Sequence, residues 1–189
     1  MIKNLDIRYN EKERNKIFTT NSHSDALDVY VLSYWDKVYQ DGKLGGKANG
    51  IPSTAFILHP ECFFFYSDIP AHEAGHCLGL FHTHHGTAEE GIPEYADGSN
   101  SKEAGDFVVD TPADPNVWVN GEYDSSKGLR DGHGDLYSPD QYNLMSYSHN
   151  SILKLTPNQI DRVYYFLSVN SIVGNVAARH IAPTESDMG

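Results

Sequence analysis

The chain has 189 residues, a length at which one domain with a sizeable core is the natural expectation, and 14 Lys and Arg against 26 Asp and Glu give it a formal charge of −12. The basic residues form no cluster, which argues against a nucleic-acid partner and disfavours anionic membranes. No apolar stretch approaches the roughly 20 residues that span a bilayer, so no membrane insertion is expected.

The opening MIKNLDIRYNEKERN has no apolar signal-peptide core. The expectation is a cytoplasmic chain, or a mature or trimmed piece of a longer precursor. LDVYVLSYW, residues 27–35, alternates Leu27, Val29 and Val31 against Asp28, Tyr30 and Leu32 and reads as a strand. GGKANGIP at 45–52 is an irregular edge strand or a turn. TAFIL at 54–58 is a short apolar run expected to form a buried strand, and CFFFY at 62–66 is ambiguous between strand and packed loop. Cys62 and Cys77 are too few for a disulfide framework; they form one bridge or stay as two buried thiols.

A helix follows, with Asp68 as its cap, Pro70 in its first turn and Gly79 as its terminator. From His82 to about Tyr142 the chain is rich in Gly, Pro, Asp, Asn and Ser, with an acidic patch at Glu89, Glu90, Glu94 and Asp97. Loops this long inside a compact domain are functional or tethered. In TPNQ, Thr156 is an N-cap, Pro157 the first helical residue and Gln159 the other half of a capping box. Ile160, Val163, Tyr164 and Leu167 then recur at helical spacing, and the helix is expected to end near Gly174. Residues 177–189 read as a tail or linker.

The segment His72–His82 carries the chemistry. His72 and His76 are four residues apart, about 40° round one helical face, so two imidazoles can grip one cation. Glu73 points about 100° away from His72 and reaches a metal-bound water rather than the metal. On a continued helix His82 would miss the metal; Gly79 can take positive φ, stop the helix and turn the chain back. One Zn2+ with His72, His76 and His82 as ligands leaves a position open for water. His84 and His85 have neither device and read as loop histidines, rimming the site or orienting neighbours.

The run H-E-x-x-H-x-x-G-x-x-H resembles that of the metzincin metallopeptidases. That likeness implies a methionine-bearing turn beneath the zinc, and Met145 in YNLMSY supplies it; on its own, a core methionine is the plainer reading. It further implies that Tyr147, two places on, hydrogen-bonds the reaction's oxyanion. AGDFVVDTPAD at 104–114, with LDVYVL and LTPNQIDRV, is similar to the pappalysin family over roughly residues 27–170. In that family the loop holds a structural Ca2+, which would fall here to Asp106 and Thr111 side chains and the Val109 carbonyl. An Asp-rich turn capping its own amides is the alternative. The resemblance also implies a secreted or periplasmic setting. Its first strand and long backing helix are not evident in residues 1–26, which leaves either a start inside a larger protein or reduced first elements.

The implied fold is α+β, a metzincin-like zincin with a small mixed twisted sheet and an active-site helix in an upper subdomain, about 1–80. A loop-rich lower subdomain, about 81–176, ends in the C-terminal helix, and together they make a catalytic domain of 1–176. The implied activity is a zinc metalloendopeptidase acting on protein or peptide, with Glu73 as general base and then acid. Substrate would lie extended along an edge strand at about Lys47–Ile51. Ser148–Leu153, the expected wall of the specificity pocket, holds no acid, so no strong Arg or Lys preference is expected. Two alternatives stay open, an inactive metal- or peptide-binding module and a zinc hydrolase of a non-peptide amide; oligomeric state is not legible.

Overall fold

The computed structural model describes residues 15–32, 45–63, 68–119, 122–124, 129–148 and 153–176. Residues 33–35 of the first predicted strand, 64–66 of CFFFY, 149–152 of the expected pocket wall and the tail 177–189 lie outside them. The chain divides into two compact units, 1–79 with 165–189, and 80–164.

The first unit is built on a three-stranded mixed sheet in the order β1-β3-β2, with β1 at Asp28–Val31, β2 at Gly46–Ala48 and β3 at Ala55–Leu58. β1 runs parallel to β3, and β2 antiparallel to it with Lys47 opposite Ile57. The apolar run at 54–58 becomes the central strand because both its faces are covered. Ala55 and Ile57 pack on Ile17 and Phe18; Phe56 and Leu58 pack with Cys77. Each of the Ile, Leu and Phe side chains contributes about 1.5–3 kcal/mol on burial. Among residues 15–26 there is no strand or long helix, only a 3-10 turn at Ile17–Thr19 whose apolar residues enter the core.

The alternation in β1 is present, but its inward face is the less obvious one. Val29 and Val31 are exposed, while Tyr30 and Leu32 pack on the Ile17 cluster. Tyr30 sits edge-on to Phe18, and its hydroxyl donates to the Thr20 carbonyl at 2.8 Å, so a tyrosine satisfies both ends there. The edge strand is shorter than expected. It ends at Ala48, and the Asn49 N–H turns to the Ala55 carbonyl.

Helix α1 spans Ile69–Cys77 with Pro70 in its first turn. Asp68 sits before it in helical conformation, makes no side-chain cap, and accepts the His72 N–H through its backbone carbonyl instead. At the other end Leu78 and Gly79 close on Ala74, Gly75 and His76. Gly79 has φ +95°, and a Cβ there would lie 2.5 Å from the Phe166 ring, so both conformation and space require glycine. Cys62 and Cys77 are buried free thiols, and burial pushes the Cys77 thiol up to about 11.

The second unit is mostly turns, with a two-stranded ribbon of β4, Trp118–Val119, and β5, Glu122–Tyr123. Side chains replace ladders as its fasteners. Helix α2, Pro157–Val169, begins within it. The capping box is complete: the Gln159 N–H donates to Thr156 Oγ1 and the Thr156 N–H to Gln159 Oε1. Asp110, from the DTP stretch, adds a second cap through Thr156 Oγ1 at 2.6 Å and the Asn158 N–H at 3.0 Å.

The inward stripe of α2 differs from the expected one. Ile160 and Tyr164 are exposed, while Gln159 is fully buried and Val163 and Leu167 are partly so. The face is set by what its residues must reach: Asn143 for Gln159, Gly79 for Phe166. The helix also stops at Val169, five residues before Gly174, where Asn170 Oδ1 accepts the Ile172 N–H and offers the backbone a turn.

Candidate metal centre

α1 places its polar residues inward. His72, Glu73 and His76 are 8%, 7% and 6% exposed. The Nε2 atoms of His72 and His76 lie 3.1 Å apart, with the rings at right angles. Ligand atoms on a tetrahedral zinc are roughly 3.3 Å apart, given Zn–N bonds of about 2.0–2.1 Å. The pair therefore fits two corners of such a site. His72, His76 and His82 each offer one ligand atom, all within 4.8 Å of one another. Three neutral imidazoles are a donor set that could hold a zinc ion.

Glu73 is tied to the sheet. Its Oε2 accepts the backbone N–H of Ala48 on the edge strand at 2.7 Å. Gly46 makes room for it, since a Cβ there would lie 2.5 Å from Glu73 Cγ. Burial pushes the Glu73 carboxyl up to about 7, against the opposing pull of the Ala48 N–H and the Lys47 charge. A carboxyl in that range takes and returns protons near neutral pH.

Met145 is fully buried in a tight turn. Its N–H donates to Asn143 Oδ1 and its carbonyl accepts the Thr83 N–H at 3.1 Å, directly after His82. Asn143 and Gln159 exchange both amide hydrogen bonds, so the turn is locked to the start of α2. The Tyr147 ring stands edge-on to His82, with centroids 4.7 Å apart, and is itself 39% exposed.

The loop after His82 holds what sequence spacing missed. His84 is fully buried rather than at a rim, and donates from Nε2 to Glu89 Oε1 at 3.1 Å. The same oxygen is 2.7 Å from His82 Nδ1. These hydrogen bonds, His82's first, hold the Glu89 carboxyl well below the usual carboxylate range. His85 stacks on Phe81 at 4.4 Å, and its Nδ1 lies 3.6 Å from the other Glu89 oxygen. The only signal for Glu89 in the sequence was an acidic patch.

Asp106 and Thr111 do come together: Thr111 Oγ1 donates to Asp106 Oδ1 at 2.8 Å. The Val108 carbonyl, 2.7 Å from Thr111 Oγ1, competes with Asp106 for that one hydroxyl hydrogen, and the Val109 side chain is exposed. Glu94, which no motif marked, joins as a second buried carboxylate. Both Glu94 oxygens and Asp106 Oδ2 are buried without a hydrogen-bond partner. Burial, with Asp106 adding its charge, pushes Glu94 up to about 8; burial pushes Asp106 up to about 7.

No protein-family model matches the chain. It is 28% identical over 175 residues, 89% of its length, to Pappalysin-1 of Mus musculus, and spans 10% of that protein. The mature mirolysin of Tannerella forsythia, solved in complex with a cleaved peptide, shares the fold. The TM-score is 0.58 at 18% identity, over 94% of this chain and 68% of that one. The small mixed sheet with an edge strand beside a histidine-bearing helix is the fold of mirolysin, and the sequence over nearly the whole chain is similar to that of Pappalysin-1.

Proposed function

We propose that the chain is a zinc-dependent endopeptidase whose catalytic domain is residues 1–176, with 177–189 as a tail. One observation carries this reading: a buried carboxylate, pushed up to about 7, directly follows the first of three convergent histidines. His72, His76 and His82 would hold the zinc. When bound, it supplies Lewis acidity, lowering the pKa of a coordinated water towards 7 and polarising the scissile carbonyl.

The chain's own residues do the rest. Glu73 takes a proton from the attacking water onto its carboxylate and delivers it to the leaving amine. The Ala48 N–H holds one of its oxygens, fixing the direction in which the other works. Tyr147 offers a hydroxyl to the oxyanion from beside His82. The β2 edge, Gly46–Ala48, pairs with an extended peptide by strand addition. Met145 supports the centre from beneath through the Thr83 amide.

We further propose a structural Ca2+ at Asp106, Thr111 and the Val109 carbonyl, with Glu94 added. Three unpartnered carboxylate oxygens in the interior support a cation there, and oxygen-only donors suit calcium. A secreted or periplasmic setting goes with this reading. Among the described residues no helix is long and apolar enough to cross a membrane.

The test is hydrolysis of casein and of a peptide library by the zinc-loaded chain and by Glu73→Gln. Loss of about 10²–10⁴-fold in the variant, with zinc content kept, is expected. Equal turnover in the two proteins would refute the mechanism. An inert zinc-loaded wild type would leave the metal-binding module as the reading.

A further inference from the structure

His72 and His76 are aimed by their helix. His82 lies beyond it, in a loop, where spacing gives a side chain no direction. A metal ligand in such a place needs a second group to fix its ring and its tautomer. Residues 83–88 supply the route. The His85 N–H closes on the His82 carbonyl at 3.0 Å and the Ala88 N–H on the His84 carbonyl at 2.9 Å. These turns bring Glu89 back to the ring it follows by seven residues.

We propose that Glu89 is the positioning residue of the metal centre: its carboxylate accepts the Nδ1–H of His82 and so presents Nε2 to the metal. This rests on the zinc reading above. The contact is 2.7 Å, a charge-assisted length. Glu89 is in turn held by buried His84, whose Nε2 donates to the same oxygen at 3.1 Å. The His82 and His84 rings stack at 4.6 Å and 12°, and Tyr147 crosses both edge-on. The His82 ring is thus fixed at its edge by a carboxylate and on its face by a histidine.

His82, His84 and Glu89 also bring one ligand atom each within 4.8 Å of one another. Their spacing fits hydrogen bonds better. The 2.7 Å from Glu89 Oε1 to His82 Nδ1 is well short of the roughly 3.3 Å edge of a zinc tetrahedron and suits a hydrogen bond. A zinc at Nδ1 would also compete with the Nε2 role of the same ring.

The test compares wild type, Glu89→Ala, Glu89→Gln and His82→Ala. Zinc affinity is measured by chelator competition, and the His82 imidazole by proton–nitrogen NMR of the zinc-loaded protein. Glu89→Ala should weaken zinc about 10–100-fold and abolish the hydrogen-bonded Nδ1–H signal. Glu89→Gln keeps an acceptor, so it should retain the signal and recover part of the affinity. It also carries the test should the alanine variant not fold. Unchanged affinity in a folded Glu89 variant would overturn the proposal, as would a second equivalent of zinc that Glu89→Ala loses while keeping the first. If His82→Ala binds zinc like wild type, the ligand assignment itself fails, independently of Glu89.

Discussion

The backbone N–H of Ala48 donates to Glu73 Oε2 at 2.7 Å, so the edge strand of the sheet holds the carboxylate of the helix it flanks. Strand and carboxylate are therefore one device. The carboxyl is buried, which raises its proton affinity, and the amide keeps that rise in check.

Gly46 is the weak point of that device. A Cβ there would meet Glu73 Cγ at 2.5 Å, Oε1 at 2.7 Å and Ile69 Cγ2 at 2.8 Å. Gly46→Ala should displace the carboxylate while leaving the three histidines in place. Peptidase turnover is expected to fall on the order of 10²-fold, the scale of a 1 Å misplacement, with zinc content unchanged. Near-normal turnover would show that Glu73 does not need this seat.

Gly79→Ala tests the turn between His76 and His82. The residue has φ +95° and its Cβ position lies 2.5–2.8 Å from three atoms of Phe166. The conformation costs about 1–2 kcal/mol for a residue with a Cβ, and overpacking adds about 1–3 kcal/mol. A melting temperature lower by roughly 5–15 °C follows at this chain size. Thermal unfolding monitored by circular dichroism checks it; a shift under 2 °C would contradict the packing.

The proposed calcium site would couple to pH through Glu94 and Asp106. Their carboxyls are pushed up to about 8 and about 7, above ordinary values of 4.5 and 3.8. In metal-free protein the folded state binds more protons, so this stabilisation is complete near pH 4 and is lost as pH rises to 8. A cation would replace the protons. Calcium at about 100 times its dissociation constant adds about 2.7 kcal/mol, or roughly 5–10 °C, and should do so more at pH 8 than at pH 5. Glu73, also raised, contributes to the same window, so the comparison with Glu94→Gln isolates the loop pair. Glu89 is shifted the opposite way and acts only at low pH. A calcium-independent melting curve at pH 8, with the same pH slope in Glu94→Gln, would remove the site.

The sequence by itself determined whatever a regular backbone converts from spacing into direction. A spacing of four from His72 to His76 places two rings on one helical face, and Thr156 and Gln159 cap one helix reciprocally. Gly79 could be read as a positive-φ stop, and the apolar run at 55–58 as a buried strand, because few other residues tolerate either setting. Faces were less legible. β1 buries Tyr30 rather than Val29, and α2 buries Gln159 rather than Ile160, because a hydrogen-bond partner or a glycine opposite decided which side faced inward.

Only tertiary structure decided what Glu89 and Glu94 meet. Both lie in irregular chain, where the number of intervening residues fixes no angle. Glu89 reaches His82 through turns closed by backbone hydrogen bonds, and Glu94 meets Asp106 across a loop fastened by side chains. A helix carries its geometry in its period; a loop acquires geometry only from what it touches.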